Sequence, residues 1–170
     1  MRPKKEEYPE YYNYYINLIS QEDVLNALID TKKTTIDFIS QVPIELANFA
    51  YANGKWTTKQ VLMHCIDTER IMSTRALRYS RGDSQKSTSF DENLYAANSH
   101  SDLRSLKDVE EEFVATRNST IALFKSFSFE SLITVGNSPG GIVTVNSVGY
   151  MICGHNQHHL NIIKERYFKK

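Results

Sequence analysis

Gly154-His155-Asn156-Gln157-His158-His159-Leu160-Asn161-Ile162-Ile163 carries three of the five histidines of this 170-residue chain. The segment reads as helix. At about 3.6 residues per turn, His155 and His159 fall on one face, one turn apart. Two imidazoles at that spacing can reach one metal ion, as in the helical H-x-x-x-H arrangement of zinc proteases. The glutamate that follows the first His in such proteases is replaced here by Asn156. The spacing therefore points to a metal and away from a protease.

The face is more telling than the count. Val148, Ile152, His155, His159 and Ile162 are spaced four, three, four and three, one stripe of a helix. Two histidines thus interrupt an apolar seam that should face the interior. His158 lies about 60° from His155, further from the seam, and reads as a neighbour. The plain alternative is a pair of core histidines hydrogen-bonded to backbone or carboxylates, which for a single inward His would be the better reading. An i, i+4 pair on an apolar stripe favours ligation.

Three more amphipathic helices precede this one. Ser20 is a candidate N-cap, with carboxylates at Glu22 and Asp23 for the first turn of a helix through Val24, Leu28, Thr31, Thr35 and Phe38. Pro43 limits that helix to about Gln41, and a connection over 43–55 ends in the turn signal Asn53-Gly54. Thr57 or Thr58 caps the second helix, which runs through Val61, His64, Cys65, Thr68 and Met72 to about Arg81. His64 falls at the edge of its buried face, with Asp67 three residues on as a possible orienting carboxylate. A long Ser/Asn/Asp-rich connection over 83–102 follows, of a length that is often functional. Ser105 caps a third helix through Val109, Phe113, Thr116, Thr120 and Phe124, whose acidic residues Asp108 and 110–112 read as a solvated face. Asn137-Ser138-Pro139-Gly140-Gly141 is a turn, 142–145 a brief extended piece, and Asn146 or Ser147 the cap of the histidine helix. The pattern predicts an all-α fold, a four-helix bundle with long connections, in one domain over residues 1–170. Residues 1–19 form a tyrosine-rich arm that covers apolar surface or meets a partner subunit.

Composition narrows the functional classes. Twenty basic and twenty acidic residues give a net charge of zero, without the basic footprint of a nucleic-acid binder. No apolar run is long enough to cross a bilayer, and the charged N-terminus is not a secretory signal, so a cytoplasmic location is expected. Cys65 and Cys153 make no disulfide framework and read as small core residues.

Several stretches together carry a family likeness. They are Gly54-Lys55-Trp56-Thr57-Thr58-Lys59-Gln60-Val61-Leu62-Met63-His64, Asp67-Thr68-Glu69-Arg70, Arg75-Ala76-Leu77-Arg78, Phe90-Asp91-Glu92-Asn93-Leu94-Tyr95, and Gly154-His155 through Arg166. In these the sequence resembles the DinB/YfiT-like superfamily over roughly Tyr15 to Tyr167. The resemblance implies a bundle whose divalent metal is held by one His of the second helix and two of the last, here His64, His155 and His159. Zinc or nickel is the expected ion, leaving open positions for water or substrate. It also implies a homodimer and a small-molecule substrate, with some relatives transferring low-molecular-weight thiols such as bacillithiol or mycothiol and others described as hydrolases. The segment from Val135 to Gly141 lacks the Arg expected shortly before its first Gly, which leaves the substrate class open. The function expected is that of a metal-dependent thiol S-transferase or hydrolase. The alternative is a non-catalytic metal-binding or stress-response bundle. Asp67, Glu69, Asp91 and Glu92 are carboxylates near the expected site, each equally readable as a surface ion pair.

Overall fold

The computed structural model describes residues 1–168. In chain order its elements are α1 (Asn13–Asn17), α2 (Val24–Ser40), α3 (Thr58–Ser80), α4 (Glu92–Ala97), α5 (Leu106–Lys125) and α6 (Phe129–Ile133). A hairpin of β1 (Val135–Ser138) and β2 (Gly141–Thr144) then leads directly into α7 (Val145–Arg166). The four long helices α2, α3, α5 and α7 form the bundle that the periodicity predicts.

Their starts are set by side-chain caps. The Asp23 carboxylate accepts from the Leu25 and Asn26 amides, so the first long helix is capped three residues later than Ser20. Thr57 with Gln60 and Ser105 with Asp108 close reciprocal capping boxes. The histidine helix is capped by Thr144 with Ser147 as the reciprocal partner, not by Asn146 or Ser147. The extended piece before it is β2, paired antiparallel with β1 in the register Val135↔Thr144 through Ser138↔Gly141. Because β2 ends on Thr144, the same residue closes the hairpin and starts the helix.

The order of the helices around the bundle departs from a simple up-down arrangement. Each of α3 and α2 packs against both α5 and α7, so the successive helices α2 and α3 stand at opposite corners, as do α5 and α7. Short loops can join neighbours, although the adjacent α3 and α5 are joined by the long segment between Ser80 and Leu106 that carries α4. Diagonal partners need long ones, which explains the stretch between Ser40 and Thr58 and the α6–hairpin insertion between Lys125 and Val145.

Glycine permits the closest approaches. A Cβ on Gly149 would lie 2.4 Å from a Val24 methyl and 2.6 Å from the Phe124 ring. One on Gly154 would lie 2.0 Å from the Tyr15 carbonyl oxygen, so α1 can seat on α7 only where the side chain is missing. The tyrosine arm therefore folds back on its own chain. Arg2 fastens its start, donating to the carbonyls of Ile16 and Ile19.

The core is two apolar clusters with a polar belt between them. One gathers Ile16, Leu28, Tyr79, Phe124 and Met151; the other Ile39, Ile66, Phe113, Leu160 and Ile163. Full burial of each such side chain is worth about 1.5–3 kcal/mol. Along every long helix the residues between the clusters are buried and polar: Thr31 and Thr35, Thr68 and Glu69, Thr116 and Arg117, Asn156. At this belt α3 and α7 bring their histidines together.

Candidate metal centre

His64 comes from the first third of α3, His155 from the middle of α7 and His159 one turn further on. The two helices run antiparallel, since the Tyr167 hydroxyl just past α7 donates to the Trp56 carbonyl just before α3 (2.8 Å). That pairing sets the level at which the three rings meet. His64 Nε2 lies 3.0 Å from His155 Nε2, and His159 Nε2 lies 3.1 Å from the same atom. His64 is buried; His155 and His159 are half-buried. The stripe on α7 does face inward, and the histidine of α3 meets it.

Hydrogen bonding cannot account for this convergence. One ring nitrogen offers a single in-plane site, a proton or a lone pair. His155 Nε2 therefore satisfies one of its two close neighbours and leaves the other. The Nδ1 atoms of His64 and His159 are buried and have no hydrogen-bond partner among the described residues. A cation fits where hydrogen bonds do not, because it accepts all three lone pairs at once. With metal–nitrogen bonds of about 2.0–2.1 Å, tetrahedral angles would separate the nitrogens by about 3.3–3.4 Å and right angles by about 2.9 Å. The two separations from His155 fall between these values, and all three donor atoms lie within 4.8 Å of one another. The donor set is therefore one that could hold a metal ion.

Burial also keeps the rings in the ligating form. Desolvation depresses His64 to about 4 and His159, with help from neighbouring His64 and His158, to about 3. Desolvation and the three neighbouring imidazoles push His155 well below its ordinary value. At neutral pH all three are uncharged imidazoles, the state that binds a metal.

The site opens on a cleft of about 270 Å³. Trp56 packs on His64 (ring centroids 4.9 Å apart), and Tyr15 covers His155 and His158 (5.8 and 5.3 Å). Tyr11 and Tyr12 extend the aromatic wall, Arg75 and Glu92 add one charge of each sign, and Met72 and Met151 line it as well. The arm that the sequence marks as packing material thus builds one side of the cleft. Its signal was the run of rings, yet nothing in the spacing tied them to the histidines. His158 stays outside the triad, edge-on to Tyr14 and Tyr15, as a neighbour.

The carboxylates divide differently from expectation. Asp67 does not orient His64: its contact is with Arg70 at 3.6 Å, while His64 Nδ1 stays unpartnered. Glu69 is held by Arg117 in a buried fork, Nε to Oε1 at 2.7 Å and Nη2 to Oε2 at 2.8 Å, and does not face the cleft. Asp91 caps α4 through the Asn93 and Leu94 amides. Of the four, Glu92 lines the cleft. Asn156, where a protease would carry its glutamate, donates to Thr35 Oγ1 at 2.6 Å and ties α7 to α2. Cys65 and Cys153 are buried free thiols, as expected of core residues. Among the described residues, no helix is long and apolar enough to cross a membrane.

Comparison with solved structures places the fold. The chain is similar to YfiT from Bacillus subtilis, reported as "a probable metal-dependent hydrolase with an unusual four-helix bundle topology" (TM-score 0.72, 17% identity, 97% of this chain and 90% of that one). It is also similar to a mycothiol-dependent maleylpyruvate isomerase (TM-score 0.69, 11% identity), covering 86% of this chain but only 61% of the isomerase. Comparison with curated proteins by sequence finds no match. The family model of the DinB superfamily matches residues 22–163, which spans α2 through most of α7 and all three converging histidines, and the chain belongs to that superfamily.

Proposed function

We propose that the protein is a metal-dependent enzyme acting on a small molecule, of thiol S-transferase or hydrolase type. In this reading His64, His155 and His159 are the ligands of one divalent ion, zinc or nickel. The observation that carries it is the crowding of two imidazole Nε2 atoms, from His64 and His159, onto His155 Nε2, more than one ring nitrogen can satisfy by hydrogen bonds. The adjoining aromatic cleft gives a small substrate a place to lie beside that point. The described function of YfiT supports the metal, and the mycothiol dependence of the isomerase supports a low-molecular-weight thiol as one substrate.

The chain's own residues supply position and environment. Rigid helices hold the three imidazoles, with Trp56 and Tyr15 restricting solvent on two sides. Tyr11 and Phe90 offer flat apolar surface for a substrate body, and Arg75 and Glu92 fix its orientation by charge. A bound divalent ion supplies the Lewis acidity that makes water or a thiol a nucleophile near neutral pH.

Metal analysis of protein purified without an affinity tag tests the reading. One equivalent of zinc or nickel in the wild type, and its loss in His64→Ala, is the expected result. Equal and low metal in both proteins contradicts it. Turnover of thiol-conjugate formation against ester or amide hydrolysis, each with and without chelator, then separates the two reaction types.

A further inference from the structure

A second groove, of about 230 Å³, lies on the other side of Trp56 and His159 from the main cleft. Both residues line both cavities, so a single layer of side chains separates them at the histidines. Its walls are aromatic: Tyr51 and Tyr167 meet edge-to-face at 5.1 Å, and Trp56 closes the inner end. Lys55 and Arg166 stand along it, and none of the lining residues is acidic.

These two cations differ from the ion-paired arginines of the bundle and resemble Arg2, Lys59 and Arg75, which bond to carbonyls. Arg70, Arg78, Arg104 and Arg117 each contact a carboxylate. Lys55 and Arg166 have no carboxylate partner among the described residues. Arg166 donates to the Tyr51 hydroxyl at 3.0 Å and lies over that ring at 5.5 Å, which steadies one edge of its guanidinium. A planar guanidinium so held, with an ammonium lining the same groove, is suited to a carboxylate or phosphate carried on a flat or apolar body.

We infer that the groove between Tyr51, Lys55, Trp56 and Arg166 is a binding subsite for the anionic end of a small molecule whose other end reaches the histidine cluster past His159. The adjacency to a reactive centre rests on the proposed function; the anion subsite does not. The subsite gives the protein two approaches to the histidines, one through the tyrosine-lined cleft and one through the cationic groove. A second organic molecule can therefore sit at the centre together with the first.

Benzoate, phenyl phosphate and the neutral isostere benzamide are suitable probes, because Trp56 is the only tryptophan and reports on the groove by fluorescence. Titrations are run on metal-loaded and chelator-treated full-length protein, by fluorescence and by calorimetry. Saturable binding of benzoate or phenyl phosphate is expected, with benzamide weaker, and binding persists after chelation. The Lys55→Gln/Arg166→Gln double variant is expected to weaken anion binding by about tenfold or more, while Arg81→Gln, outside both cavities, leaves it unchanged. Arg166→Lys, which keeps the charge, retains part of the affinity. Preference for one of the two anions identifies the headgroup. No saturable binding of either, equal binding of benzamide, or loss in Arg81→Gln with none in the double variant overturns the inference. Metal content measured on the same samples separates the two claims: a metal-free wild type whose anion binding still depends on Lys55 and Arg166 keeps the subsite and sinks the metal centre.

Discussion

Two polar clusters are buried at the waist of this bundle, and α3 contributes to both, Glu69 to one and His64 to the other. The first is complete. Arg117 forks onto Glu69, and its remaining Nη1 donates to Thr31 Oγ1 at 2.6 Å and the Leu28 carbonyl at 3.2 Å. Arg117 also lies over the Phe113 ring, 5.2 Å from its centre. The second is incomplete: three ring nitrogens crowd together and two Nδ1 atoms go unpartnered. Two neighbouring interior clusters thus hold opposite states. A satisfied cluster fastens three helices, α2, α3 and α5, and an over-subscribed one beside a cleft is built to receive something.

Breaking the satisfied cluster should have the largest effect on folding. Glu69→Ala leaves the Arg117 charge buried without its partner and should cost about 3–5 kcal/mol in urea denaturation. Replacing both residues together, Glu69→Leu with Arg117→Met, should recover most of that loss. A cost below about 1 kcal/mol for Glu69→Ala would show that the pair does not fasten the bundle.

Next comes the contact that seats the arm over the histidines. Gly154→Ala puts a methyl group into the Tyr15 carbonyl. It should destabilise by about 1–3 kcal/mol, with hydrogen exchange rising in α1 before α2. Uniform exchange across the chain would mean the arm is not a separate layer.

His155→Ala sharpens the contrast from the other side. It should abolish metal binding while changing the stability of chelator-treated protein by about 1 kcal/mol, since only one hydrogen bond between neutral rings is lost. A metal-independent loss comparable to that of Glu69→Ala would make His155 a core residue like any other. Smallest of all is Asp67→Asn. Its carboxylate meets Arg70 and not His64, so metal content should stay at the wild-type level and stability should move by at most about 0.5 kcal/mol. Loss of metal there would restore Asp67 as an orienting group.

How far these features could be read in advance differs from one to the next. The pair on α7 was legible because an i, i+4 spacing on an apolar stripe is a local signal. His64 was not, since one histidine at a helix edge has no period; only the family likeness raised it. Arg117 also left a trace that went unread. Phe113, Arg117, Thr120 and Phe124 are spaced four, three and four, an inward row with one cation in it, on a helix whose acidic start suggested a solvated face. Its partner Glu69 lies 48 residues earlier, and no local pattern links the two. The diagonal placement of α2 and α3 is of the same kind: loop length allowed it, but only the packing of both helices against α5 and α7 decides it. Thr144 was missed as a cap because it also ends a strand, and a residue shared by two elements reads as belonging to the first.

Crystals of untagged protein, measured on both sides of the zinc and nickel absorption edges, test the central claim most directly. The account predicts one anomalous peak within about 2.0–2.1 Å of the Nε2 atoms of His64, His155 and His159, strong above one edge and weak below it. Electron density without such a peak, with the rings turned to share ordinary hydrogen bonds, would contradict it.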